Sequence, residues 1–548
     1  VNRRRVGDRS VSRRASRRTA PYGLRLKSLV MARIAVIGAG LGAMAAAARL
    51  AVAGHRVAVY ERTGTYGGGV RAYERDGFRF DTGPGLLHLP AVYRDLFVKT
   101  GRRPLEECVE LLRLDPAVRH VFSDGTAVSL PSGSRAGTLA ALDAALGAGA
   151  GERWTDMLAR ARTVWEATRR PLLEEPLTAS GLPALRAGLA RDPYPAPHRK
   201  GLLRRRGPTL AEAAADELRD PRLESVLTAL ANSYGLDARE APAGAAVLAY
   251  VEHTFGSWYV RGGMRALADA LYERCTERGV QFRFGREVVD VVTEGGAVRG
   301  VRPASGTQGG AERAPGGRES ASRDLLDPRP QDFEPADAVV VGGARVPGSA
   351  AGAGEDVTAA VPALSRLTVL LALRGARPAD TPHRTVVHRA DAPTRPLTVL
   401  RPDDPALRPD DAHESAVLSV ALRPDEADGE EAAARLADRL TEAADAAGLA
   451  LGERVLWREV RTPRDVEAET GAPDGLVPAP ALAGPWARDG GRAVREAGSV
   501  RPPNSAATKG LYRVGGWAHP GGGAAHAGMS GALVAGLIVE GDDWRGSA

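Results

Sequence analysis

Residues 33–61 read as strand, glycine turn, helix, strand and acid. A second glycine-rich turn leading into a helix returns far downstream, at 509–538, and helical and short-strand stretches fill the space between. These three observations predict an α/β chain: a Rossmann-like dinucleotide-binding domain assembled from separated pieces, with a mixed α+β substrate domain inserted into it. The 548 residues are too many for one ordinary core. Hydrophobic residues at 43% and charged residues at 26% exclude a mainly disordered or collagen-like chain. With aromatics at only 5%, the core must be built mostly from Ala, Val and Leu. Cys108 and Cys275 stand far apart in unrelated contexts, so no disulfide framework or cysteine metal site is expected, in keeping with a reducing cytosol.

The net charge of +7 belongs to one end. Ten of the 74 basic residues but only one of the 67 acidic ones fall in residues 1–30, leaving 64 basic and 66 acidic residues in the rest. The body is near neutral, and no nucleic-acid partner is expected. Residues 1–30 have no apolar periodicity and read as a disordered basic tail. The chain starts with Val and Met31 directly precedes the first strand. The tail is therefore expected to be upstream sequence from an overlong start, with an arm touching anionic lipid or RNA as the functional alternative. The Arg-rich 13–27 stretch followed by the apolar run Ile34 to Ala48 imitates an export signal, and Gly38 and Gly42 imitate a membrane GxxxG pair. The run stops at Arg49, short of the ~20 residues needed to span a bilayer, and a strand and an acid follow at once. A soluble or peripheral protein is expected.

In the first unit, RIAVI (33–37) is a β-branched strand. Leu41 to Ala53 is an Ala-rich helix closed by Gly54, and RVAVY (56–60) is a second strand, parallel to the first across the helix. Gly38, Gly40 and Ala43 occupy the three places of G-x-G-x-x-G/A: one for the tight turn, one for backbone approach to a pyrophosphate, one for close packing of helix on strand. The phosphates would sit at the helix N-terminus. Glu61 ends the second strand, where a carboxylate can accept from ribose hydroxyls and disfavours a 2′-phosphate. On this unit alone FAD and NAD stay open.

Beyond Glu61 come Gly67-Gly68-Gly69 and then DGFRFDTGPGLLHLP (76–90). With GAGLGAM, Glu61, the glycine pair Gly67-Gly68, and GFRFDTGP followed by LPAVYRDLF, the stretch Ile34 to Phe97 resembles the phytoene desaturase (bacterial-type carotenoid desaturase) family of FAD-dependent oxidoreductases. Two later segments are similar to the same family: WYVRGGMRALADALYERCTERGVQFRFGREVVDVVTEGGAVRGV (258–301) and KGLYRVGGWAHPGGGAAHAGMSGALVAGLI (509–538). The resemblance implies a glutathione-reductase-type FAD-binding domain. It implies cofactor contacts from Gly38, Gly40, Gly42, Ala43, Glu61 and Arg62 in the first unit. From the next stretches it implies Gly67, Gly68, Arg71, Asp81, Gly83 and Pro84, with Val288 through its main chain. From the closing segment it implies Gly515, Gly516, His519, Gly521, Gly522, Gly523, Met529 and Ser530. Family members usually carry Arg or Lys directly after the glycine pair. Here Gly69 stands there, and Arg71 is expected to supply the charge. A Pro-Gly expected after the closing glycines is replaced by Ala525-His526, near where the substrate should meet the flavin.

The organisation that follows is a tail (1–30), FAD-binding pieces at 31–134, 258–345 and 475–548, a helical substrate and membrane-contact domain at 135–257, and a substrate β-sheet at 346–474. Residues 303–335 read as a disordered insertion. The cluster HRKGLLRRR (198–206) is a solvated loop or an interfacial patch on anionic lipid. Strands at 367–373, 385–388, 397–400, 416–422 and 455–460, interrupted by one helix at 430–447, predict an antiparallel sheet with one face open to an apolar ligand. The closing helix is expected from about Met529. The ten histidines are scattered and show no metal-ligand spacing. His519 is the one placed beside the flavin, either as a hydrogen-bonding ring or as a proton relay.

A flavin accepts a hydride from an allylic C–H while the neighbouring carbon loses a proton, so the protein mainly holds substrate and excludes water. The resemblance implies a long apolar isoprenoid or polyene substrate. It also implies reoxidation by a quinone or oxygen, and a cytoplasmic protein peripheral to the inner face of the cell membrane. Other readings are another flavin enzyme of the scaffold (carotenoid oxidase, retinol-saturase-like or amine-oxidase-like), a non-catalytic flavoprotein binding an apolar ligand, and an NAD-only dehydrogenase.

Overall fold

The first strand forms where the β-branched run 33–37 ends at Gly38, whose φ of +87° makes the turn that a side chain would strain. The structure, a computed structural model, describes residues 31–195, 207–304, 333–348, 363–427, 429–488, 493–495 and 500–546. The expected tail 1–30 and the basic cluster 198–206 lie outside the described residues, as does most of the insertion expected at 303–335. At its margins that insertion is ordered: Ala297–Pro303 and Glu334–Pro335 are strands paired with each other.

In chain order, β1 (Arg33–Ile37), α1 (Leu41–Val52) and β2 (Arg56–Glu61) form the first unit. They are followed by β3 (Val118–Val121) and β4 (Ala127–Leu130). The helices α2 (Ala150–Arg169), α3 (Pro221–Ser233), α4 (Val247–Phe255) and α5 (Met264–Glu277) come next. The strands β5 (Gln281–Phe284), β6 (Ala338–Val341), β7 (Ser365–Arg374), β8 (Arg384–Val387), β9 (Leu397–Leu400) and β10 (His413–Leu422) precede α6 (Glu430–Ala446). Strands β11 (Val455–Arg461) and β12 (Leu511–Arg513) lead to the last helix, α7 (Ala524–Glu540).

Among the described residues one sheet runs β12-β6-β1-β2-β5, every pair parallel. It joins strands more than 450 residues apart in sequence, so the separated pieces do make one nucleotide-binding sheet. α1 is apolar on nearly all sides and buried accordingly, packed against α7 and α5. Gly42 and Gly531 are the close-approach points. A Cβ on Gly42 would lie 2.8 Å from Ala527 O, and one on Gly531 would lie 2.6 Å from Gly42 O. α7 begins at Ala524, five residues before the expected start, because Gly523 (φ +108°) ends the loop there.

The second large sheet runs β11-β7-β10-β9-β8-β3-β4 and is antiparallel except at β8–β3. β3 and β4, placed by sequence in the first nucleotide-binding piece, therefore belong to the substrate sheet. As expected, one face of this sheet is covered and the other is open to a cavity. Leu367, Val369, Leu371 and Leu373 pack on Ala433, Ala437, Leu440 and Ala444 of α6. The opposite face carries Arg366, Thr368, Thr398 and Ser419 together with Leu400, Val417 and Ala421 toward a helical layer. That layer is held by Trp154, Met157, Leu158, Val164, Leu223, Leu227, Leu248 and Val251 of α2, α3 and α4.

Candidate functional site: a cavity between two helix N-termini

A cavity of about 440 Å³ lies where the two sheets and the helical layer meet, within the size range of small-molecule sites. Both glycine bends open into it. From the first come Gly40, Leu41, Gly42 and Ala43, and from the last Gly515, Gly516, Gly523, Ala524, Ala525 and His526. The amides of Leu41, Gly42 and Ala43 have no acceptor among the described residues, nor have those of Ala524, Ala525 and His526. Neither helix has a side-chain cap. Two sets of unsatisfied donors, each at the positive end of a helix dipole, thus face one cavity, as a long anionic cofactor requires.

The intervening glycines keep that space clear. Gly67 N–H donates to Ala39 O at 2.8 Å, and a Cβ on Gly68 would stand 3.0 Å from Gly40 Cα. A Cβ on Gly83 would overlap Gly69 O. Gly67, Gly68, Gly83 and Pro84 all line the cavity. Arg71 lines it too: its guanidinium donates to Gly68 O at 2.9 Å, to Glu469 O at 2.9 Å and to Thr63 Oγ1 at 3.1 Å. Burial lowers its pKa, partly offset by Glu469 and Glu61. The charge missing at Gly69 is thus present two residues later. Glu61, 7% exposed, accepts from Ala39 N–H at 2.9 Å, and its other oxygen takes Thr63 N–H and Oγ1. It braces the turn that presents Gly40.

Several expected site residues stand elsewhere. Arg62 is turned outward, donating to Ala468 O at 2.6 Å. Asp81 accepts from Met264 N–H at 2.8 Å and Arg265 N–H at 3.3 Å, so it caps α5 instead of lining the cavity. Burial raises its pKa to about 6 despite those two hydrogen bonds. Val288 is buried in a cluster with Ala35, Tyr60 and Val291 and does not line the cavity. His519 is fully buried outside the cavity, one ring nitrogen 3.0 Å from Glu175 O. Burial pushes its pKa down to about 4. Enclosed away from the cavity lining and bonded to a main-chain carbonyl, the ring stands as a structural group.

Ser530 Oγ donates to His519 O at 2.8 Å and accepts from Gly515 N–H at 3.1 Å, which fixes the last bend from behind. Gly521 and Gly522 are glycines because residues 478–481 cross directly over them: a Cβ on Gly522 would overlap Pro478 O, and Gly522 N–H donates to Ala479 O at 3.0 Å. Met529 packs against the helical-layer core and does not line the cavity.

The residues of the far wall were not singled out in the sequence. Val164, Trp165, Leu172, Leu173, Val247, Leu248 and Val251 supply apolar surface from the helical layer. Residues 475–483 close one side, and Arg366 and Arg384 project from the sheet. The apolar wall residues of the helical layer lie in the stretch 135–257 read as a helical substrate domain, and the Ala525-His526 substitution pointed to the same place: both residues line the cavity. Burial holds the His526 ring neutral, its pKa pushed down to about 4.

A parallel sheet with a glycine turn at each end of a shared cavity defines a flavin-dependent oxidoreductase scaffold, and comparison with known proteins agrees. Residues 43–314 match the family described as flavin containing amine oxidoreductase. The chain is related in sequence to carotenoid desaturases and oxygenases. It is 32% identical over 273 residues to the zeta-carotene-forming phytoene desaturase of Myxococcus xanthus, covering 49% of this chain and 50% of that protein. It is 29% identical over 285 residues to the 4,4'-diapolycopene oxygenase of Methylomonas sp, covering 50% and 53%. The chain thus spans about half the length of the curated relatives it matches. Cyclohexylamine oxidase from Brevibacterium oxydans superposes with a TM-score of 0.55 at 14% identity, over 93% of this chain and 99% of that one, which shows a shared fold. These comparisons support an FAD cofactor, and the free amides, the glycine cradle and Arg71 fit it.

Proposed function

We propose that this chain is an FAD-dependent oxidoreductase that removes a hydride and a proton from a long apolar isoprenoid, forming a C=C bond. The observation that carries the reading is the single cavity shared by the two uncapped helix N-termini and the apolar wall of α2 and α4. FAD bound there would supply the hydride acceptor. The amides of Leu41 to Ala43 would take phosphate oxygens. Those of Ala524 to His526 would face the electron-rich end of the cofactor. Trp165, Leu172, Val247, Leu248 and Val251 would hold the substrate and keep water out.

The cavity's charge argues against an amine substrate. Arg71 and Arg366 line it without a carboxylate at ion-pair distance, Arg169 and Arg384 are paired with Glu174 and Glu252, and the one acidic lining residue among the described residues, Glu469, is paired with Arg461. An ammonium group would meet repulsion there. Reoxidation by a quinone or oxygen, and peripheral contact with the cytoplasmic face of the membrane that dissolves such a substrate, complete the proposal. Among the described residues no helix is long and apolar enough to cross a membrane.

The test is anaerobic titration of the yellow holoprotein. Phytoene or a related polyene should bleach the flavin, and cyclohexylamine or putrescine should leave it oxidised. Bleaching by the amines alone would overturn the proposal.

A further inference from the structure

Away from the glycine cradle, where Arg71 is held by Gly68 O, Thr63 Oγ1 and Glu469 O, the cavity wall carries a half-buried guanidinium with no carboxylate at ion-pair distance among the described residues. Arg384 is matched: its guanidinium lies 2.6 Å from Glu252, an ion pair sealed on both sides. Arg366 is not. It projects from β7 into the cavity and gives one hydrogen bond, Nη2 to Ser233 O at 2.9 Å. Among the described residues no carboxylate lies within ion-pair distance of it. Burial and the neighbouring Arg384 both lower its pKa, and no acid raises it.

A guanidinium has five N–H donors in a planar fork that matches a carboxylate, and here one is spent on a carbonyl. Beside it on the same sheet face stand the hydroxyls of Thr368, Ser419 and Thr398, polar groups with no use along a pure hydrocarbon. A desolvated cation facing an apolar cavity costs free energy unless the ligand brings the counter-charge.

We propose that the substrate is an isoprenoid or polyene ending in a carboxylate, which seats on Arg366 while the chain runs along the α2–α4 wall toward the last glycine bend. This rests on the apolar-substrate reading above. With Arg384 paired to Glu252 and Arg71 committed to the glycine cradle, one guanidinium is left to meet the substrate, so a monoanionic carboxylate fits better than a diphosphate.

The holoprotein would be titrated with retinoic acid and with methyl retinoate, following quenching of the tryptophans; Trp165 and Trp517 line the cavity. The acid should bind ~10-fold to 100-fold more tightly than the ester, the range expected of a charge-assisted hydrogen bond. R366M should bring the acid down to the ester's affinity and leave the ester's unchanged, while R366K should keep part of the preference. Equal affinities of acid and ester on the unaltered protein would overturn the inference without using any variant, and would leave the apolar-substrate reading standing. So would an R366M protein that keeps the acid preference. If neither compound binds, the apolar-substrate reading fails and the inference goes with it.

Discussion

A residue's chemistry here is set by what surrounds it more than by the motif that contains it. Asp81 lies in GFRFDTGP, yet its carboxylate is used up on the first amides of α5. Burial is the largest influence on it and raises its pKa from 3.8 to about 6; the two amide hydrogen bonds and Arg79 oppose, and Asp404 adds to the rise. A carboxyl with a folded pKa above its unfolded value binds its proton more tightly when folded. Its contribution to stability is complete below about pH 4 and is lost as the pH climbs through about 6. Compared with D81N, whose amide keeps an acceptor for the cap, the parent protein should therefore gain in relative Tm between pH 7 and pH 4.5. Paired thermal melts across that range measure it, and a difference that does not change with pH would refute the burial argument. His519 teaches the same lesson. Its place in the closing segment suggested a cofactor contact, whereas a main-chain carbonyl and complete burial make it a brace.

At the level of elements, the substrate sheet is held by a buried ionic knot as well as by Leu and Val. Glu414 of β10 is fully buried and takes a two-pronged pair from Arg401, at 2.6 and 2.8 Å, plus Arg454 at 2.8 Å. Removing Arg401 leaves Glu414 one cation, whereas removing Glu414 leaves the buried Arg401 guanidinium without a counter-charge, with Leu449 O as its remaining acceptor, and takes the carboxylate from Arg454 as well. R401M should cost about 3 kcal/mol and E414L more, since breaking a buried pair costs roughly 3–5 kcal/mol; urea unfolding would rank them. The sheet's strands were legible because alternation and β-branching mark them locally. Which face stays open was not, because that is decided by α6, whose apolar stripe takes the Leu367–Leu373 side. β3 and β4 were misassigned for a similar reason: nothing local in VRHV announces a parallel pairing with residues 385–387. The glycine bends, by contrast, were readable almost residue by residue. Tight turns such as those at Gly38, Gly67 and Gly515 leave a local mark because their positive φ favours glycine. At Gly42 and Gly522 the backbone that crowds the glycine comes from another part of the chain. Arg366 and Arg384 went unnoticed because an arginine within a strand is ordinary until a cavity is seen beside it.

On the scale of the molecule, the sequence's two ends are joined at the contact of α1 with α7, and the cofactor's site depends on it. Gly42 lies at that seam. A Cβ there would come within 2.8 Å of both Ala527 O and Gly515 Cα, backbone atoms that cannot swing aside. The same displacement that relieves the clash would part the Leu41–Ala43 amides from the Ala524–His526 amides, which must serve one ligand together. A ligand bound only by the folded state stabilises by about 2.7 kcal/mol at a hundredfold excess over Kd, so FAD should raise the parent protein's Tm. G42V should cost about 1–3 kcal/mol in overpacking and should also abolish most of the FAD-induced rise, because its two half-sites no longer register. A substitution at Gly54, which has open space around it, would strain the backbone at its φ of +91° but leave the seam closed, so the FAD-induced rise should persist. Scanning calorimetry of apo and FAD-loaded forms of the three proteins separates the effects. If G42V keeps the full rise with FAD, the two bends do not act as one site.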